Sequence, residues 1–348
     1  MSPSPQPPTS ILLLGAGELG SAILTSIASH PLLLSVPFTI ALRPASLDSP
    51  SRLDSLRALL PAHRQPSLSF APLDLAAPTA ASDLTALILS GAHDAVVACT
   101  GMTTSGTDAG TQTLITRAVL AAGRQRAQDA RPLRFFPWQF GVDYDAIGPD
   151  AAGGLMREQC GVRTILRREA AGAGVAWTIV STGVFVSFVF EERFGVVEGL
   201  GRALKAGGPE PLADEGVEVV VRGLGGWGKA VSVTDVRDIG RVVAECLARP
   251  VEGGGNVVFT AGETVTYGEV AEVVQRVIGR RKEVRKEEWS VEFLKGELEK
   301  DPGSQMKKYR LLFAEGTGVS WDMGKTLNAQ RGIDMVGVEQ WLREQLSM

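Results

Sequence analysis

Lysine is missing from the first 204 residues, and all nine lysines lie at Lys205 or beyond. No ammonium side chain can therefore act as acid, base or Schiff-base former anywhere in that long stretch. Cysteine is scarce. Cys99, Cys160 and Cys246 are odd in number and far apart, which excludes a disulfide framework and a thiolate metal site. The three histidines, His30, His63 and His93, lack the close spacing of zinc ligands, so no metal is expected. Neither Asn256 nor Asn328 opens a glycosylation sequon. An excess of basic charge is also absent. The net charge is −4 and the pI about 5.6, which argues against nucleic acid and anionic membranes as partners. Residues 1–10 hold four prolines and three serines but no basic segment followed by an apolar one. They read as a flexible lead-in rather than a signal peptide, and a cytoplasmic location is expected.

One stretch tests the view that no segment spans a membrane. Residues 170–190 run for 21 residues without a charge. That length could cross a bilayer. Glycines and hydroxyl residues interrupt it throughout, so it reads as a buried parallel strand followed by an apolar pocket wall, to which Phe185, Phe188 and Phe190 belong.

What is present is ordinary globular material: 348 residues, 44% hydrophobic and 21% charged. At roughly 150 residues per domain, this allows one large domain or about two. Short apolar runs alternate with amphipathic stretches through the first half. Strands are expected at 11–14, 38–42, 68–70, 95–99, 133–136 and 175–180. Helices are expected at 21–28, 53–60, 81–89, 111–122 and 162–171. That rhythm predicts right-handed βαβ units and a doubly wound parallel sheet, an α/β fold of Rossmann type. Beyond residue 182 the rhythm changes to a smaller C-terminal α+β region. Residues 217–222 and 230–233 bracket a glycine cluster and suggest a hairpin. Helices are expected at 234–248 and 267–278, the second capped by Thr266, and the run 280–286 reads as a solvated helix end or loop. The expected division is a flexible 1–10, a Rossmann domain over 11–181 and a substrate region over 182–348, with 229–260 returning to the Rossmann sheet.

The first expected strand runs straight into Gly15-Ala16-Gly17-Glu18-Leu19-Gly20 and then into a helix. Each glycine has a reason. Gly15 permits the tight turn, Gly17 lets backbone approach a pyrophosphate, and Gly20 lets helix and strand pack closely. Phosphates would sit on the unpaired N–H groups of the helix start. The strand before it, the helix after it and the surrounding βαβ series mark this as a dinucleotide site. Arg43 follows the second strand, where an NAD enzyme usually carries Asp or Glu. A guanidinium there suits a 2′-phosphate, so the expected cofactor is NADP(H). Asp74 and Leu75 after the third strand are placed for the adenine. Thr100, Gly101 and Met102 after the fourth are placed for the ribose and pyrophosphate. A second glycine pattern, Gly318 to Thr326, has the wrong spacing for a P-loop and no strand before it.

Four segments together resemble the NmrA-like and isoflavone-reductase-like branch of the atypical short-chain dehydrogenases, in the form found in fungal secondary metabolism. They are Gly15–Gly20 with Arg43, Gln112, the run Arg134-Phe-Phe-Pro137-Trp-Gln-Phe-Gly141-Val-Asp143-Tyr144-Asp145, and Val231 to Arg241. The resemblance covers nearly the whole chain. It implies NADPH-dependent hydride transfer to a conjugated, aromatic or polyketide-like small molecule, in a monomer or homodimer. Cofactor contacts are expected from Gly15, Ala16, Gly17, Glu18, Leu19, Gly20, Arg43, Gln112, Pro137, Trp138, Gly183 and Phe185. The substrate would be bounded by residues 138–144, 182–190 and the C-terminal region.

The chain departs from that branch at one point. The branch uses a lysine on the helix after the fifth strand, and here Gln159 or a neighbour stands in its place. The short-chain Tyr-x3-Lys pair is absent too, since Tyr144, Tyr267 and Tyr309 are followed four residues later by Gly148, Ala271 and Phe313. Arginine cannot supply the proton. Three readings follow: a reductase using another acid, a nucleotide-binding regulator without turnover, and a redox-neutral isomerase or cyclase. For the first, Tyr144 is the leading acid, with Gln139, Asp143 and ordered water as alternatives. Cys160 reads as small apolar filler.

Overall fold

The computed structural model describes residues 6–101, 110–126, 131–214, 216–251, 256–279 and 282–348. Contact clustering divides the chain into two compact units. The first holds residues 1–140, 158–180 and 239–258, and the second holds 141–157, 181–238 and 259–348.

The first unit is built on a six-stranded parallel sheet. Its strands are β1 (Ile11–Leu14), β2 (Phe38–Leu42), β3 (Leu68–Pro72), β4 (Ala95–Ala98), β5 (Leu133–Phe136) and β6 (Val175–Trp177), in the order β3-β2-β1-β4-β5-β6. Every neighbouring pair is parallel, with Ile11 opposite both Phe38 and Ala95. β1 and β4 are buried at every residue, because helices cover both faces of such a sheet. Their continuous apolar runs follow from that double burial. Val175–Trp177 joins the sheet in parallel beside β5 as its edge strand, with Val175 and Trp177 buried and Ala176 exposed. No helix of the described residues is long and apolar enough to cross a membrane. The fold is a Rossmann-type doubly wound sheet, and its strand order reverses between β1 and β4, where such sheets bind ligands.

The second unit carries two three-stranded sheets. Val219–Leu224 pairs in parallel with Val284–Trp289 and antiparallel with Val197–Glu198. Ala230–Thr234 pairs antiparallel with Glu263–Thr266 and in parallel with Val184–Phe185. The helix Tyr267–Ile278 opens with a capping box, in which Thr266 and Glu269 bond each other's backbone N–H groups.

Four expectations need correction. The hairpin between 217–222 and 230–233 does not form, because the two strands belong to different sheets. Val219–Leu224 pairs over six residues with Val284–Trp289, and Ala230–Thr234 over four with Glu263–Thr266. The run 280–286, expected as a solvated helix end or loop, leads into a strand, Val284–Trp289, six residues long and paired with Val219–Leu224; Arg280 and Arg281 lie outside the described residues. The returning stretch is narrower than 229–260, since only 239–258 fall in the first unit, while 141–157 fall in the second. Gly240 shows why the return is tight: a Cβ there would lie 2.5 Å from the Ala22 carbonyl oxygen. Lastly, residues 1–10 are not loose throughout. Residues 1–5 lie outside the described residues, but Thr9 and Ser10 are pinned to the buried Asp94 carboxylate. Their backbone N–H groups donate to Oδ1 at 2.8 and 3.0 Å, and the Thr9 hydroxyl donates to Oδ2 at 3.0 Å.

His93 sits in the same anchor, its Nδ1 2.8 Å from the Ser10 hydroxyl. Burial lowers its pKa below the ordinary imidazole value, with Asp94 opposing. A base whose pKa is depressed by folding favours the native state fully above its unfolded value of about 6.5 and loses that contribution as pH falls. Thermal melts between pH 7.5 and 5 should show stability declining below about pH 6.5, with a shallower decline in His93→Gln. An equal decline in both proteins would remove His93 from the pH response.

Candidate functional site

The glycine turn after β1 is built as its spacing requires. Gly15 has φ +93°, a left-handed conformation that side chains resist, and its N–H donates to the Ala41 carbonyl at 3.2 Å. Residue 20 has no room for a side chain, because a Cβ would lie 2.4 Å from the Gly15 carbonyl oxygen. Gly17 differs from both. A Cβ there would meet no atom within 4 Å, so the space in front of its backbone is open. Gly17 also N-caps the helix Glu18–Ser29 with no side chain covering the first turn. Open space and uncovered N–H groups together suit a phosphate. Glu18 is exposed, while Ala16 and Leu19 are buried and form the inner wall of the turn.

Arg43 leaves the end of β2 exposed, immediately after Leu42. A second guanidinium lies beside the turn. Arg52, on the helix Pro50–Ala58, donates to the Ala16 carbonyl. Sequence reading missed Arg52 because nothing in its helix singles it out; the contact joins positions 36 residues apart. At the end of β3, Asp74 is exposed and accepts a hydrogen bond from the Ala76 N–H at 3.0 Å, while Leu75 packs against the sheet core. Met102 lies outside the described residues.

Polar ties link the ends of β1, β4 and β5. Gly15 packs on the Cys99 backbone just past β4, 3.2 Å from its Cβ position to the carbonyl oxygen. Burial pushes the Cys99 thiol up to about 12, so it is an inert filler there. Gln112, 2% exposed, donates through Nε2 to the Thr100 hydroxyl at 3.0 Å and the Gly101 carbonyl at 2.9 Å. It holds the loop, with φ +73° at Gly101, and its amide nitrogen is already used. One residue later, the Thr113 N–H donates to the Glu158 carboxylate at 2.9 Å. Glu158 thereby caps the helix Thr111–Gln125 and fastens it to the helix Arg157–Glu169.

The β5 exit is fastened to the same helix. Pro137 is buried, and Trp138 packs half-buried against the sheet core. Gln139 is 1% exposed; its Nε2 donates to the Gln159 carbonyl at 3.0 Å and its Oε1 accepts from Arg163 Nε at 2.9 Å. Arg163 is fully buried, four residues after Gln159 on one helical face with Val162 and Leu166.

A model of the NmrA-like family matches residues 77–339. The chain is also 37% identical over 336 residues to a protein of Gibberella moniliformis (strain M3125 / FGSC 7600) named as an NmrA-like family domain-containing oxidoreductase, covering 96% of this chain and 97% of the relative. The chain belongs to the NmrA-like family. Solved structures share the fold at low identity. The leucoanthocyanidin reductase–NADPH complex from Vitis vinifera is 17% identical with a TM-score of 0.69, covering 97% of this chain and 100% of the other. An isoflavone reductase is 18% identical with a TM-score of 0.64, covering 97% and 99%. An Escherichia coli NADPH-dependent quinone oxidoreductase complexed with NADPH is 17% identical with a TM-score of 0.62, covering 95% and 98%.

In this NmrA-like chain the remaining expected site residues fall in the second unit. Tyr144 is 3% exposed and opens the short helix Tyr144–Ile147. Its hydroxyl lies 2.5 Å from where a Cβ of Gly141 would be, which is why residue 141 must be glycine. Asp143 is the N-cap of that helix, accepting from the N–H groups of Asp145 and Ala146 at 3.1 and 3.4 Å. Gly183 has φ +70°, and a Cβ there would lie 1.9 Å from the Ser232 carbonyl oxygen. Strand packing alone accounts for that glycine. Phe185 is half-buried at the end of its strand, opposite Thr234. Among the other tyrosines, Tyr267 is fully buried with no partner for its hydroxyl among the described residues, and burial pushes Tyr309 up to about 12.

The glycines make separable predictions in urea unfolding. Gly20→Ala must displace backbone and should cost about 1–3 kcal/mol. Gly17→Ala meets nothing and should cost under about 1 kcal/mol, the price of a poorer cap. Equal losses in the two variants would contradict the open space at Gly17.

Proposed function

We propose that this protein is an NADPH-dependent reductase of a conjugated or aromatic small molecule. The observation that carries the proposal is the turn at Gly15–Gly20, with open space at Gly17, Arg52 hydrogen-bonded to the Ala16 carbonyl and Arg43 exposed just past β2. These residues fit a pyrophosphate and a 2′-phosphate: uncovered helix N–H groups for the first, guanidinium groups for the second. The nearly full-length relative named as an oxidoreductase supports the class of reaction. The NADPH carried by two fold neighbours supports the cofactor.

The first unit would hold the cofactor and the second would supply the substrate-binding region. When bound, the cofactor supplies the hydride. The chain's own residues would fix its adenosine end at Arg43 and Arg52 and its phosphates at Gly17 and the helix start. Phe188, half-buried and edge-on to Tyr309 with ring centroids 6.0 Å apart, favours a flat apolar substrate. Both ends of the Gln139 amide are engaged, so Gln139 positions the β5 exit and is not free to hand on a proton. Tyr144 then stands as the acid of this proposal. Its burial favours a second reading: a nucleotide-binding protein of the same site that does not turn over.

Titration with NADPH and NADH, followed by nicotinamide fluorescence, tests the cofactor. NADPH should bind at least tenfold more tightly, and Arg43→Asp should weaken NADPH by roughly 1–3 kcal/mol through a lost charge-assisted bond and added repulsion. Arg52→Ala should weaken it by about 1 kcal/mol. Equal NADPH and NADH affinities would overturn the assignment of Arg43. For Tyr144→Phe, NADPH oxidation in a screen of quinones and conjugated ketones should fall by about 10²-fold with cofactor affinity unchanged. Undiminished turnover would exclude Tyr144 as the acid, and tight binding with no turnover on any compound would favour the second reading.

A further inference from the structure

From Arg43 to Ser55 the chain runs without a single buried residue. The helix Pro50–Ala58, which begins in this stretch, is anchored by one buried side chain, Leu56. A helix held so lightly opens locally at low cost, because opening it exposes little apolar surface. The stretch carries four serines, Ser46, Ser49, Ser51 and Ser55. Only Ser49 precedes a proline, and an arginine follows at the third place, in Ser49-Pro50-Ser51-Arg52. No threonine of the chain precedes a proline. Ser2 and Ser4 do, but neither has a basic residue three places on. Serine followed by proline, with a basic residue at the third place, is the setting in which proline-directed protein kinases transfer phosphate.

The local geometry suits that chemistry. Ser49 has extended backbone, with φ −108° and ψ 95°, as the residue before a proline prefers. Its hydroxyl makes no cap to the helix that follows; its partner among the described residues is the Ser51 hydroxyl, at 3.3 Å. Phosphorylation would therefore break no cap. Arg52 is the group such a phosphate would meet. Its N–H donates to the Ser49 carbonyl at 3.0 Å, and its guanidinium donates to the Ala16 carbonyl in the glycine turn. A phosphoserine carries close to two negative charges and three strong acceptor oxygens, and it pairs with arginine far better than a neutral carbonyl does. Placed just before a helix, it also meets the uncovered N–H groups of the first turn.

We propose that Ser49 is a phosphorylation site of a proline-directed protein kinase, and that its phosphate draws Arg52 off the glycine turn and lowers NADPH affinity. The second half rests on the cofactor reading above. In the transfer, a bond forms between Ser49 Oγ and the γ-phosphorus of ATP as the bond from that phosphorus to the β–γ bridging oxygen breaks. ADP leaves, and the serine proton passes to the kinase's base. The phosphate then adds negative charge next to a group that would otherwise favour the 2′-phosphate. NADH, which lacks that phosphate, loses less.

Purified full-length protein and its Ser49→Ala variant, each incubated with a cyclin-dependent kinase and magnesium ATP, provide the test. Phosphopeptide mass spectrometry should place phosphate on Ser49 of the wild type. Followed by nicotinamide fluorescence, NADPH should bind the treated wild type about tenfold more weakly than the untreated, with NADH changed by less than about threefold. Treated and untreated Ser49→Ala should bind NADPH alike, which separates Ser49 from Ser2 and Ser4. No phosphate on Ser49 would overturn the proposal. So would a phosphate there with NADPH affinity unchanged, or an equal loss in treated Ser49→Ala. If the untreated wild type binds no NADPH, the cofactor reading fails and takes the second half with it, while the mass spectrum still decides the site.

Discussion

Everything at the candidate site depends on how closely the helix Glu18–Ser29 approaches the end of β1. The Gly15 carbonyl occupies the volume that any side chain at residue 20 would need. That contact fixes where the first helical turn points its uncovered N–H groups. It also bears on the β4 exit, because Gly15 rests on the backbone just beyond β4. Relaxing it would move the helix start and the β4 exit together. The open space at Gly17 has meaning only against that packed background, since one glycine of the three is left facing nothing.

The strand exits beyond β4 and β5 are held by side-chain amides and one carboxylate. Gln112 and Gln139 each join a strand exit to a helix, Glu158 joins two helices, and the buried Arg163 completes the set. Such ties are rigid because an unpaired buried polar group is worse than a paired one. They also account for the chemical character of the site in the first unit. With no lysine before residue 205, polar positions near the β5 exit are filled by amides and a buried guanidinium that hold geometry. A site of this kind can position a cofactor well. The proton for any reduction has to come from elsewhere, which is why Tyr144, in the second unit, carries that part of the proposal.

The sheet of the first unit was legible in the residues because double burial writes itself as uninterrupted apolar runs. Ile11–Leu14 and Ala95–Ala98 could hardly be anything else, and the glycines after β1 are demanded by local backbone geometry. Arg43 was legible for a similar reason, since its place follows directly from the end of β2. The second unit was harder. Val219–Leu224 and Ala230–Thr234 are close in sequence, yet their partners, at 284–289 and 263–266, are set by contacts far along the chain.

Sequence alone therefore determined the fold class, the glycine turn after β1 and the absence of lysine from the first 204 residues. Each rests on neighbouring residues or on composition. Tertiary structure decided what the polar residues do. Gln139 ties the β5 exit to the helix Arg157–Glu169, and Gln112 holds the β4 exit. Arg52 and Arg163 gave no sign of their contacts, which are visible only once their surroundings are known. The reason is physical: a hydrophobic pattern repeats along the chain, whereas the partner of a buried polar atom is chosen by whatever the fold brings beside it.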